Sequence, residues 1–170
     1  LSIIALAFCA ASARAELKVG YIDSEVLKER LSEFRDAQRM LDQLRQDYEN
    51  QAKDSEAKLL KLQDDFRRQE LLMSEARKSE LQAEFEGKVQ QLQQFTQEKF
   101  GPEGELMRKN IELSEPIFKK INDAIQVMAE AEGYDFIFDA AAPSSGLVFA
   151  QEKYDLTEQL LEKMQEDEEE

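Results

Sequence analysis

The side chains best equipped for chemistry in this chain are carboxylates, and their spacing argues against catalysis. Asp64-Asp65 and the acidic run at residues 166–170 are adjacent in sequence, and neighbours on a helix point about 100° apart, so neither set converges as an acid–base pair would. Asp135 and Asp139 sit near a strand-like segment. A hard cation needs several oxygen ligands on a glycine-supported turn, so these two read as caps or solvated edges. Gly101-Pro102-Glu103-Gly104-Glu105 lacks the Lys and Ser/Thr of a phosphate loop and follows no strand. Histidine is absent and the single cysteine is Cys9, which removes the commonest general base and transition-metal ligand. No catalytic, cofactor-binding or metal-ligating residue is therefore expected, and the chain is read as a non-enzyme.

The chemistry left is that of contact. Phe66, Met73, Phe85, Phe95 and Phe100 recur along helical stretches and are candidates for touching an unfolded polypeptide, with burial in a helix seam as the plainer account of each. Arg67, Arg68, Arg77 and Lys78 surround an expected chain reversal, with Glu70 and Glu75 between them. They form a mildly basic tip that fits either ordinary i to i+4 pairing or contact with an anionic lipid or client. Val19, Tyr21, Ile22, Phe136, Phe138 and Val148 are candidates for a β body and its assembly. The formal net charge of −15 repels nucleic acid phosphates, so no nucleic acid partner is expected.

The elements that position these residues follow from composition and pattern. Of the 170 residues 35% are charged and only 8% aromatic, a poor recipe for a thick core and a good one for long helices. Residues 17–23 alternate Leu17, Val19 and Tyr21 against Lys18, Gly20 and Ile22, which predicts a half-buried strand. Ser24 is the expected N-cap, with Glu25 suiting the helix dipole. From Val26 no Gly or Pro occurs until Gly87, so one long helix is expected. Its apolar row Leu27, Phe34, Leu41, Tyr48 and Leu62 is interrupted by Gln38, Arg45 and Ser55 in and beside the seam, which favours a loose, hydrated helix pair over a tight zipper. Leu81, Phe85, Val89, Leu92, Leu106, Ile111, Phe118, Ile121, Ile125 and Met128 mark a returning arm. Equal arms place the reversal near residue 78, and Ser74 as a new cap puts the tip at residues 71–76. Arms of about 50 residues would reach about 75 Å.

Residues 101–104 are read as a kink in the returning arm, and Pro116 as a second bend or helix restart. Gly133 is a C′ residue, after which residues 134–139 form a strand with Tyr134, Phe136 and Phe138 on one face. Residues 147–150 predict a third strand, and Asp155-Leu156-Thr157-Glu158 resembles a capping box before a short terminal helix. The fold class is thus α+β and mostly α. A small β body of about three short strands (residues 17–23 and 134–165) carries a long antiparallel helical hairpin (24–132), and an acidic tail follows (166–170).

Residues 1–15, LSIIALAFCAASARA, are apolar and end in Ala13-Arg14-Ala15, the pattern of a cleavable export signal. The run is too short for a span of about 20 residues, and the missing Met and basic leader point to a truncated start. Cleavage would leave residues 16–170 as a single domain without cysteine. Removal of Arg14 would make the net charge one unit more negative.

Val19-Gly20-Tyr21-Ile22-Asp23, Ala124-Ile125 with residues 133–139, and Tyr154-Asp155-Leu156-Thr157 together resemble the Skp/OmpH-like periplasmic chaperones of Gram-negative bacteria, over residues 16–165. The resemblance implies a homotrimer whose strands share one β body and whose hairpins enclose a cavity. It further implies an ATP-independent, periplasmic holdase for unfolded outer-membrane β-barrel proteins. This chain departs from the best-known members in being acidic where they are basic, so no lipid site is carried over and direct membrane contact stays open. The interruption at residues 101–104 is a second departure. The alternative from another class is a structural envelope coiled coil that binds one fixed partner.

Overall fold

A computed structural model describes residues 17–169, with side chains to residue 165. The expected export signal at residues 1–15 lies outside the described residues, as do the side chains of the acidic tail. The chain runs β1 (Val19–Ile22), α1 (Ser24–Arg30), α2 (Ser32–Gln69), a 3-10 turn (Glu70–Leu72), α3 (Glu75–Phe100), α4 (Glu105–Glu132), β2 (Phe136–Asp139), a second 3-10 turn (Glu152–Tyr154) and α5 (Thr157–Glu169). It divides into two compact units. One contains the described residues up to Glu25 together with those from Asp123 onward, and the other is Val26–Asn122.

In the first unit β1 and β2 pair in parallel, with Val19 opposite Phe136 and Tyr21 opposite Phe138. A glycine at position 20 is required by close approach: a Cβ there would lie 2.4 Å from Leu156 Cδ1. Leu156 thereby covers the Gly20/Ile22 side of the strand, and that side is the buried one. On the opposite side Leu17 is exposed and Val19 and Tyr21 are half-buried, so the strand is half-buried as expected. Alternation sets which residues share a face but not which face meets the rest of the chain. The core is completed by Ala124, Met128, Leu160, Leu161 and Met164.

The expected third strand at residues 147–150 is a correction. These residues form no ladder, and Val148 and Phe149 are exposed. The position beside β1 is taken instead by residues 155–156, through a bridge between Tyr21 and Asp155 and a bond from Leu156 N–H to Tyr21 O of 2.8 Å. The sheet therefore has two strands where about three were expected.

The caps follow local chemistry. Asp23, and not Ser24, caps α1: its Oδ1 accepts from Glu25 N–H at 2.9 Å. Asp135 and Asp139 act at longer range, accepting the backbone N–H groups of Lys18 (2.8 Å), beside β1, and of Ser24 (3.2 Å), at the start of α1. Gly133, at φ 74°, ends α4 in the left-handed conformation that its lack of Cβ permits. Asp155 Oδ1 accepts from Thr157 N–H at the start of α5 (2.9 Å).

In the helical unit α2 contains 38 residues, about 57 Å of helix, and packs on α3 through Leu41, Tyr48, Leu59 and Leu81. The thin seam agrees with a loosely packed pair. The expected unbroken helix is interrupted once, at Leu31, whose ψ of 129° is extended. Its N–H still reaches Leu27 O at 2.9 Å, so the break costs little hydrogen bonding, and no residue type announces it. Pro116 lies inside α4 without ending it. It is exposed, so water can satisfy the carbonyl it leaves unpaired.

Candidate functional site

Among the described residues no group of three or more His, Cys, Asp or Glu side chains is placed to hold a metal ion. No helix among them is long and apolar enough to cross a membrane. What stands out is apolar surface held open, and it falls into separate patches.

The chain reverses at residues 70–74, overlapping the expected 71–76. Ser74 Oγ accepts from Arg77 N–H at 3.3 Å and so starts α3. The 3-10 turn that precedes it leaves Leu71 and Leu72 97% and 90% exposed, because a reversal this tight has no neighbouring helix on its outer side. Burying one leucine is worth about 1.5–3 kcal/mol, so two that stay open form the most conspicuous patch in the helical unit. Sequence reasoning passed over both. Their signal is that Leu71 and Leu72 stand just before the capping Ser74 and belong to no seam row. Met73, proposed as a contact residue, is half-buried.

The four cations sit on either side of this turn. Arg68 pairs with Asp64 (2.6 Å), Arg77 with Glu80 (2.6 Å) and Lys78 with Glu75 (2.8 Å), all at helical i+3 or i+4 spacing. The Glu75 hydrogen bond holds the Lys78 ammonium above the usual lysine range. Three of the four cations are thus matched by their own helices, which leaves little surplus positive field.

The other contact candidates separate into two pairs. Phe66 and Phe85 line a cavity of about 190 Å³ between α2 and α3, with Leu62 and Leu81. Phe95 and Phe100 both stack edge-on against Tyr48, with ring centroids at 6.1 and 6.2 Å. Tyr48 is buried, and Lys99 lies 4.9 Å over its ring. Burial pushes the Tyr48 phenol up, and the Glu105 hydrogen bond adds to the rise.

On α4 the expected seam residues Ile111 and Phe118 are exposed, whereas the expected Ile121 is buried and Ile117 is buried beside it in the sequence pattern. Phe118 touches the ring of Phe34 at 5.3 Å but stays partly open. Met107 is exposed one turn before Ile111. Positions 107, 111 and 118 share one side of the helix at i, i+4 and i+11, a stripe that seam counting assigned to packing because spacing alone cannot tell which side of a helix meets a neighbour.

In the sheet unit, the register brings Val19, Tyr21, Phe136 and Phe138 to one face. The Phe136 and Phe138 rings stack at 6.3 Å and are exposed. A cavity of about 280 Å³ there is lined by Tyr21, Phe138, Leu147, Phe149 and Tyr154. Val148 is 98% exposed nearby in sequence, whereas Ile22 lies in the core and does not join this face. The Tyr21 phenol is raised by partial burial and then by the charge and hydrogen bond of Asp155.

A family model described as outer membrane protein (OmpH-like) matches residues 18–164. No curated protein matches significantly. Among solved structures, a candidate outer membrane chaperone (OmpH-like) from Caulobacter crescentus superposes with a TM-score of 0.76 at 13% identity, covering 95% of this chain and 92% of that one. At that identity the likeness concerns the fold.

Proposed function

This chain belongs to the OmpH-like outer membrane protein family, and on that premise we propose that it is an ATP-independent periplasmic holdase, which binds unfolded outer-membrane β-barrel proteins and delays their aggregation. The observation that carries this reading is the pattern of open apolar side chains on the helical unit: Leu71 and Leu72 at the reversal, and Met107, Ile111 and Phe118 along α4. Each offers a few kcal/mol at most. Many such weak contacts suit a client with no fixed shape, and binding the unfolded state alone needs no nucleotide.

The same reading makes the protein a homotrimer, assembled through the open sheet face of Val19, Tyr21, Phe136 and Phe138 with Val148 beside it. An exposed aromatic face on a two-stranded sheet is poorly stable alone and gains from being covered by copies of itself. With few surplus cations at the tip, shape and apolar contact do most of the holding.

The test is dilution of several unrelated urea-unfolded β-barrel proteins into ATP-free buffer, followed by light scattering. Near-stoichiometric amounts of this protein should suppress the rise in scattering for all of them. Unchanged aggregation, together with tight binding to a single folded envelope protein, would replace the holdase with a scaffold.

A further inference from the structure

The break between α3 and α4 is built with more care than a tolerated insertion requires. Gly101 N–H closes on Gln97 O at 3.0 Å, Gly104 N–H on Gly101 O at 2.8 Å, and Arg108 N–H on Gly104 O at 3.1 Å. Both glycines are held by close approach. A Cβ on Gly101 would lie 2.4 Å from Gln97 O, and one on Gly104 would lie 2.8–2.9 Å from the Gly101 and Lys99 backbone. Across this turn Lys99, in the last turn of α3, pairs with Glu105, the first residue of α4. Each charge suits its own helix end. Tyr48 from α2 completes the arrangement: its ring lies beneath Lys99, and Phe95 and Phe100 hold that ring edge-on from before the break.

We infer that residues 101–104 are a joint in the returning arm, and that the clamp of Tyr48, Lys99 and Glu105 sets its angle. The helical hydrogen-bond ladder stops at Phe100 and restarts after Gly104, so the four-residue turn alone ties α3 to α4 along the chain. A short turn of this kind leaves its backbone torsions as soft degrees of freedom. The clamp removes that freedom by pairing the two helix ends across the turn, with Lys99 seated over one buried ring of the opposing helix. A groove of about 590 Å³, lined by Leu41, Arg45, Phe100, Pro102, Leu106 and Met107, lies on the same joint, so its width follows the clamp. Opening the clamp swings α3 against α4 and re-aims the Met107 and Ile111 side chains. This goes beyond the holdase reading and would stand equally in a scaffold.

The experiment is a spin-label distance measurement in the full chain carrying Cys9→Ala, Gln91→Cys and Glu115→Cys, whose label sites on α3 and α4 are exposed. The parent should give one narrow distance distribution. Glu105→Gln and Lys99→Met should each about double its width, as expected for release of a hinge, with unchanged helix content by circular dichroism. Tyr48→Phe, which keeps the ring and loses only the hydroxyl, should broaden it less. Glu112→Gln, which removes an ion pair with Lys109 lying wholly within α4, should leave it as in the parent. If Glu105→Gln, Lys99→Met and Tyr48→Phe all leave the distribution as narrow as the parent, the turn fixes its own angle and the inference fails. It fails equally if Glu112→Gln broadens the distribution as much as Glu105→Gln does.

Discussion

Replacing Thr157 with valine tests how the sheet unit is tied together. Thr157 is buried, at 3% exposure. Its Oγ1 accepts from Asp23 N–H at 2.9 Å and donates to Asp155 Oδ1 at 2.6 Å. One hydroxyl thus joins the end of β1 to the segment that bridges onto its edge. Valine keeps the shape and deletes the hydroxyl. The lost bond to a carboxylate is worth about 1.5–3 kcal/mol, and the Asp23 N–H left without its partner costs about 1–3 kcal/mol more. The added methyl returns about 0.8 kcal/mol. Because Asp23 is only partly buried and water can replace some of the loss, the net is about 2–3 kcal/mol of destabilisation. Thr157→Ser keeps both bonds and loses one methyl, about 1 kcal/mol. Urea unfolding followed by circular dichroism reads both. With a slope of about 2 kcal/mol per molar, the valine midpoint should fall by about 1 M and the serine midpoint by about half that, with slopes unchanged. Protein concentration is held fixed, since assembly would make the midpoint concentration-dependent. A valine variant as stable as the parent, or a serine variant less stable than valine, would refute the reasoning.

Leu160 is fully buried, so Leu160→Ala should cost about 2–5 kcal/mol, seen as a fall in the same urea midpoint; a shift no larger than that of an exposed substitution would mean the core lies elsewhere. The Glu105 carboxyl is held below the usual carboxylate range, first by the Lys99 hydrogen bond and then by Tyr48, while Lys99 is held above the usual lysine range, mainly by Glu105. The clamp's contribution is therefore complete above the ordinary carboxylate pKa and below the ordinary lysine pKa. It is lost only as pH falls through the lowered value or rises through the raised one. The stability difference between parent and Glu105→Gln should accordingly stay flat from about pH 6 to about pH 9 and shrink in acid; a difference that varies steadily through neutrality would mean that the Lys99–Glu105 pair is not what sets it. Leu71→Ser with Leu72→Ser should leave the urea midpoint within about 0.5 kcal/mol, because both side chains are already in water, yet weaken suppression of client aggregation. Unaltered suppression would remove the reversal from the contact surface.

Features whose causes lie within a few residues were legible. The cap at Ser74, the left-handed Gly133, the carboxylate of Asp155 and the break at residues 101–104 depend on side chains reaching backbone two to four positions away, so residue type and spacing decide them. Asp23 was missed in favour of Ser24 because two good caps stand side by side, and the choice goes to the one whose neighbour is claimed by a distant acceptor, Asp139. Tyr48 was seen only as a seam residue. Its role at the joint needs Lys99 and Glu105, about 50 residues on in the chain, to fold back onto it.

The amino-acid sequence by itself determined that this is a mostly helical chain with strands flanking its long helices, an uncrowded seam and a reversal near Ser74. Those properties rest on composition, period and local caps. Only the tertiary structure decided that Leu156 fills the space over Gly20 and so turns Val19, Tyr21, Phe136 and Phe138 outward. It likewise left residues 147–150 unpaired, and turned Ile117 inward while Ile111 and Phe118, expected in the seam, stayed open. A periodic pattern defines a face, but which face is buried depends on what arrives from far along the chain to cover it.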